Sequence, residues 1–386
     1  MKYNFDKITD RKHTNSVKWD VKDNELPMWV ADMDFEVLPE IKEAIIKKAQ
    51  VDAYGYSVIP DEFYQAIISW WEKRHHIKFE KEWMIYSTGV VASISSIVRR
   101  LTNEGDYVIA MPPVYNIFYS SIEHNNRILL ANNLINNDGN YSIDFVDLEN
   151  KMKEERCKLL ILCNPHNPTG TPWSKEDLAR IGQLAKENHV VVLSDEIHCD
   201  LIDPSYEYVP FASVNEINKD ISITCLSASK AFNVAGIQSA VTIVPNEQLR
   251  KIVAKGINDD EIGEANFFAS EVNIAAFTKG EQWITELNEY LLSNKNYVRH
   301  FIKDNNLKLK VCSGPATYLL WIDVSSYCDN SDTFADELRN QTGLFVSKGS
   351  VYRGDGHKFI RLNVATNLEN VQKACRNLFN FIKNNY

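Results

Sequence analysis

The chain has no apolar run approaching the ~18 residues that a membrane-spanning helix requires. Its opening, MKYNFDKITDRK, mixes charges with aromatics and contains no apolar h-region. A cytoplasmic protein with no membrane partner is the expectation. Internal repeats, low-complexity tracts and Gly/Ser linkers are missing too, so no cut point between domains is visible. Positive charge is in deficit, with 42 Lys and Arg against 52 Asp and Glu for a formal charge of −10. That balance disfavours nucleic acid as a main partner. The cysteines (Cys157, Cys163, Cys199, Cys225, Cys312, Cys328 and Cys375) are odd in number and lack CxxC spacing. They read as reduced core thiols and not as disulfide or zinc ligands.

What is present is ordinary globular material, 386 residues with 44% hydrophobic and 24% charged, a length that suits two intimate domains. From about residue 85 to 245, short apolar runs alternate with amphipathic helical stretches, the pattern of a parallel sheet with helical crossovers. The runs are Tyr107 to Ala110, Leu159 to Cys163, Val190 to Leu193, Ile221 to Leu226 and Ala240 to Val244. Ser174 before Lys175, Glu176 and Asp177 fits a capping box opening a helix through Glu187. Trp283, Leu287, Tyr290, Leu291, Asn294, Tyr297 and Phe301 keep helical spacing, in a helix long enough to join a large domain to a smaller one. The expected division is 50–280 for the large domain, with 1–49 and 281–386 forming the small one.

A cluster of polar or turn residues follows each of four runs, and in an open parallel sheet the strand C-termini share the edge where ligands bind. The clusters are Met111-Pro112-Pro113-Val114-Tyr115, Asn164-Pro165-His166-Asn167-Pro168-Thr169-Gly170, Ser194-Asp195-Glu196-Ile197-His198 and Ser227-Ala228-Ser229-Lys230. Together, NPHNPTG, SDEIHCDL and SASKAFNVAG resemble the class I/II, fold-type I pyridoxal-phosphate enzymes. Within them, DEIH, PPVY, ADMDF (Ala31 to Phe35) and YGY (Tyr54 to Tyr56) look most like the cystathionine β-lyase type of C–S lyase. The resemblance spans almost the whole chain. It implies an α/β fold whose large domain holds a mostly parallel seven-stranded sheet flanked by helices, with a smaller α+β domain beside it.

The resemblance also assigns roles. Lys230 matches the lysine that carries pyridoxal 5'-phosphate as a Schiff base and shuttles the Cα proton. Asp195 matches the carboxylate paired with the pyridine nitrogen, although an Asp there also suits a helix cap. Asn167 matches the amide reaching the ring's phenolic oxygen, and Tyr115 the stacking aromatic close to cofactor and substrate. An Asn before Pro also favours a turn, and a buried Tyr also fills space. His198 lies where transaminases usually carry a tyrosine touching the same oxygen. Asp195, Glu196 and His198 lack HExxH or a comparable ligand set, so no metal is expected.

For the phosphate, Ser87-Thr88-Gly89-Val90-Val91-Ala92 forms a glycine turn into an apolar helix, whose free N–H groups favour an anion. Val90 and Val91 are the expected contacts, with Ser227 and Ser229 as hydroxyl donors. Many transaminases carry an arginine eight residues after the lysine; this chain has Gln238. Arg361 resembles the substrate-carboxylate clamp, its alternative being a strand-edge salt bridge. Ala31 is expected beside the substrate. Tyr56 resembles the tyrosine that crosses from a neighbouring subunit, which implies a homodimer with shared sites. The implied reaction is β-elimination of L-cystathionine or another L-cysteine S-conjugate to a thiol, pyruvate and ammonia. An aminotransferase is the alternative. A cofactor-binding regulator with a DNA-binding extension ranks lower, because only a few dozen residues precede ADMDF.

Overall fold

Seven strands from the middle of the chain form the sheet that organises the molecule. In the structure, a computed structural model describing residues 2–7 and 9–386, they are β1 (Met84–Ser87), β2 (Tyr107–Ala110), β3 (Ile128–Ala131), β4 (Cys157–Cys163), β5 (Val191–Asp195), β6 (Ser222–Leu226) and β7 (Ala240–Ile243). Their spatial order is β1-β7-β6-β5-β4-β2-β3. From β3 through β2, β4, β5 to β6 every pairing is parallel. β7 runs antiparallel to both of its neighbours. The run at 240–244 therefore departs from the parallel pattern expected of it. Its link from β6 holds one turn of α-helix (Ala228–Ala231) and one of 3-10 helix (Ala235–Ile237), too little helix to carry the chain back along the sheet.

β6 is buried along its whole length and β4 at every residue but Lys158, which explains their unbroken apolar sequence: helices cover both faces. Helix α1 (Val90–Leu101) follows β1, and α2 (Lys175–Glu187) links β4 to β5. Ser174 caps α2 by accepting from the Asp177 N–H at 3.0 Å, and its own hydroxyl donates to Asp177 Oδ2 at 2.7 Å.

A second, antiparallel sheet has the order β8-β9-β11-β10, built from β8 (Lys310–Val311), β9 (Leu319–Asp323), β10 (Ser347–Lys348) and β11 (Phe359–Asn363). Helix α3 (Glu281–Asp304) joins the two regions, with α4 (Ser331–Thr342) and α5 (Leu368–Asn385) completing the second. The 24 residues of α3 span ~36 Å. Trp283, Ile284, Leu287 and Tyr290 pack in the core around Trp70 and Phe232, whereas Val298 and Ile302 pack with Leu320, Phe334 and Leu378. The N-terminal segment is likewise shared: Phe35, Leu38 and Ile41 enter the first core, Leu26 and Met28 the second. All seven cysteines are free. No described helix is long and apolar enough to cross a membrane.

Candidate active site

The register of the large sheet lines up Cys163, Asp195 and Cys225 on adjacent strands, so the turns after β4, β5 and β6 emerge at one edge. A cavity of about 1040 Å³ opens there. Lys230, Asp195, His198, Asn167, Tyr115 and Arg361 all line it, as do Val90, Val91, Ser229 and Ala31. Two expected site residues lie elsewhere. Ser227 turns its hydroxyl onto Ser229 Oγ and Ser239 O, each at 2.6 Å, and steadies the wall from behind. Tyr56 is 97% exposed, on a surface depression with Ser57 and Glu264 away from this chain's own cavity.

Lys230 Nζ donates to the Ala31 carbonyl at 2.7 Å. The surrounding protein desolvates this amine and lowers its pKa from the ordinary lysine value; Asp32 and Asp195 oppose the shift and Arg361 adds to it. A lowered pKa enlarges the neutral fraction of the amine, the form in which an amine can act as a nucleophile or base. Asp195 accepts from the Ile197 N–H at 3.2 Å. Burial raises its pKa to about 7, against the pull of that bond and of Lys230. A cationic ring nitrogen beside it would restore the ionised carboxylate.

The DEIH segment divides by direction. Glu196 leaves the cavity wall and accepts from the Ser194 hydroxyl at 2.7 Å, the Phe211 N–H at 3.0 Å and the Tyr208 hydroxyl. His198 stays on the wall, with Nδ1 buried and without a protein partner among the described residues. Burial, with Lys230 and Arg361 nearby, lowers its pKa to about 3, so the imidazole is neutral. Asp200, just beyond, accepts from Arg74 Nε at 2.8 Å and Trp70 Nε1 at 3.1 Å, with His75 Nε2 at 3.0 Å. His75, Cys199 and Asp200 come within metal-ligand reach of one another. The Arg74 guanidinium already neutralises that carboxylate, which leaves little attraction for a cation.

Arg361 stands on β11 opposite Ser347 of β10 and Trp321 of β9, almost completely buried. Nη1 donates to Asn167 Oδ1 at 3.2 Å and Nη2 to Trp29 O at 2.9 Å. Nε is buried with no protein partner among the described residues, a donor held ready for an anionic ligand. The guanidinium also lies over the Tyr352 ring, 5.0 Å from its centroid. Also on the cavity wall, Gly89 caps α1, so the first N–H groups of a 12-residue helix are free to meet an anion. Gln238, eight residues after Lys230, lines the wall where many transaminases carry an arginine. Sequence reading missed Trp29, Ser347 and Tyr352, which line the cavity, and Tyr318, which donates to the Ala31 carbonyl of its wall. Among these, Trp29 had a usable signal, two residues before the ADMDF motif.

The seven-stranded sheet with a buried lysine, a carboxylate and a buried arginine converging on its edge defines a fold-type I pyridoxal-phosphate enzyme. The chain belongs to the aminotransferase class I and II family, whose profile matches residues 25–378, and it stands in the C–S lyase branch of that family. It is 38% identical to the cystathionine β-lyase PatB of Bacillus subtilis, over 97% of this chain and 98% of that protein. Among solved structures, a pyridoxal-phosphate-bound putative aminotransferase from Clostridium difficile superposes with a TM-score of 0.96 at 35% identity, covering 98% of this chain and 100% of that one. The pyridoxal-phosphate-bound C–S lyase from Staphylococcus hominis does so at 0.93 and 34%, covering 99% and 100%. Pyridoxal phosphate is the cofactor. The unpartnered Arg361 Nε and His198 Nδ1 fit a polar, anionic occupant of this cavity.

Proposed function

We propose that this enzyme β-eliminates L-cysteine S-conjugates, L-cystathionine among them, to a thiol, pyruvate and ammonia. The observation that carries the reading is the convergence of Lys230, Asp195 and Arg361 on one cavity, in a chain aligned from end to end with a cystathionine β-lyase. Bound pyridoxal phosphate supplies a carbonyl that condenses with amines and a ring that accepts electrons from the substrate Cα. Lys230 would hold it covalently, Asp195 would keep the ring nitrogen protonated, and Asn167 and His198 would reach the phenolic oxygen. Tyr115 would stack on the ring, while the N–H groups of Val90 and Val91 and the Ser229 hydroxyl would take the phosphate.

Arg361 would fix the substrate carboxylate through its planar fork, turning the Cα–H bond toward Lys230. The desolvated Lys230 amine takes that proton. The Cβ–S bond then breaks with its electron pair on sulfur, which leaves as a thiolate and is protonated. The three-carbon remainder takes up water and yields pyruvate and ammonia.

Two further elements belong to this reading. Tyr56, exposed on its own subunit, would complete the phosphate site of a second copy in a homodimer. Residues 50–280 would form one body and 281–386 with the N-terminal segment another, with α3 as the strut between them. The experiment is pyruvate release from L-cystathionine without any keto-acid acceptor. Pyruvate should be the main product, and alanine, with no leaving group on Cβ, should give at most a slow half-transamination. Conversion of cystathionine only to pyridoxamine phosphate and a keto acid would sink the lyase reading in favour of an aminotransferase.

A further inference from the structure

Two donors from distant parts of the chain share the Ala31 carbonyl. Lys230 Nζ reaches it at 2.7 Å and the Tyr318 hydroxyl at 3.0 Å, so both lone pairs of one oxygen are engaged. The oxygen is also held in direction. Asn363 Nδ2 donates to Val30 O and to Asp32 O, each at 2.6 Å. Arg361 Nη2 holds Trp29 O at 2.9 Å, and the Met33 N–H donates to Asn233 Oδ1 at 3.1 Å. Tyr318 is itself fully buried. The backbone before it is stitched to the loop beyond His198: Thr317 N–H donates to Leu201 O at 2.7 Å, and Ala316 bridges to Ile202.

An amine displaced from the cofactor by substrate must remain within reach of Cα and must be neutral to accept a proton. A free carbonyl binds an ammonium more strongly than an amine, because charge-assisted hydrogen bonds are roughly twice as strong as neutral ones. A second donor on the same oxygen takes up part of its accepting capacity and so narrows that preference. Desolvation pushes the Tyr318 phenol above its ordinary pKa, which keeps it a donor. The other groups facing the amine act through space: Asp32 and Asp195 favour the ammonium, Arg361 opposes it, and His198 is neutral.

We propose that Tyr318 is a positioning residue for proton transfer: by occupying the second lone pair of the Ala31 carbonyl, on which the released Lys230 amine rests, it weakens that oxygen's preference for the ammonium and so favours the neutral, proton-accepting amine. This rests on the role assigned to Lys230 above.

The test is Tyr318→Phe, which removes one oxygen from a buried site. The variant should bind cofactor and keep KM for an S-alkylcysteine, while kcat falls roughly tenfold. The acid limb of its kcat profile should move to higher pH, and the isotope effect with Cα-deuterated substrate should grow. In the cofactor-free protein, the pH dependence of reductive methylation at Lys230 should shift the same way, a readout independent of the reaction catalysed. Placing 3-fluorotyrosine at 318 keeps the shape with a stronger donor and should shift the acid limb downward, which serves if the Phe variant folds poorly. A fall in kcat with the pH profile, isotope effect and Lys230 titration all unmoved would reduce Tyr318 to a packing residue and overturn the proposal. Failure of wild-type enzyme to release pyruvate would instead strike the lyase reading and leave the Lys230 titration to decide this one.

Discussion

Arg361 Nη1 donates to Asn167 Oδ1 at 3.2 Å across 194 residues of sequence. The side chain assigned to the substrate carboxylate thus holds the side chain assigned to the cofactor's phenolic oxygen. With its carbonyl oxygen engaged, Asn167 has its amide N–H groups to offer the cofactor. A change at Arg361 should therefore disturb cofactor placement as well as substrate affinity.

Arg361→Lys retains the charge but loses the planar fork and the bond to Asn167. The expected loss in kcat/KM is on the order of tenfold to a hundredfold, that of one charge-assisted hydrogen bond at ~1.5–3 kcal/mol. Steady-state pyruvate release measures it, with a small shift of the cofactor's visible band reporting the Asn167 link. A kcat/KM equal to wild type would mean that the carboxylate is held elsewhere.

Lys230→Ala should fold with little change in stability, because the residue lines a cavity and is not core volume. β-Elimination should fall to background. In the wild-type protein, borohydride should bleach the visible band and tag the peptide containing Lys230; a tag on another lysine would refute the assignment.

Asp195 gives a pH-dependent stability prediction for the cofactor-free protein. Burial raises its folded pKa from 3.8 to about 7, so between those values the folded state holds the proton more tightly than the unfolded chain. Stability is then greatest at low pH and declines as pH rises toward and through 7, at ~1.4 kcal/mol per unit for one such group. Glu196, also raised to about 7 by burial, contributes in the same direction. Asp195→Asn should remove one of the two contributions, so its melting temperature should exceed that of wild type by more at pH 8 than at pH 5. Parallel melting curves of the two proteins across that range would contradict the shift.

Mixing Tyr56→Phe with Lys230→Ala tests the shared site. In the hybrid dimer, one site combines an intact Lys230 with an intact Tyr56, so activity should recover toward one site in each hybrid. With subunit exchange demonstrated and Tyr56→Phe alone strongly impaired, the absence of recovery would place Tyr56 outside the partner's site.

The sequence alone established where the strands β2, β4, β5 and β6 lie, where α2 starts, and which turns carry the polar clusters. Each of those features depends on neighbours in the chain: apolar runs buried on both faces, a serine capping the helix it precedes, and glycine or proline turns at strand ends. Tertiary structure decided the rest. β7 reverses because the short link after Lys230 leaves it no crossover helix. Trp29, Ser347 and Tyr318 join the site because the N-terminal segment and the second sheet fold back over the edge of the first. Glu196 points away from the cavity while Asp195 and His198 face it, although the three stand within four consecutive residues. Local periodicity reports which residues share a face; it carries no information on which distant carbonyl or guanidinium that face will meet. The two bonds on the Ala31 oxygen, from partners 199 and 287 residues away, exist only once the N-terminal segment and the chain leading into β9 have packed into the first core.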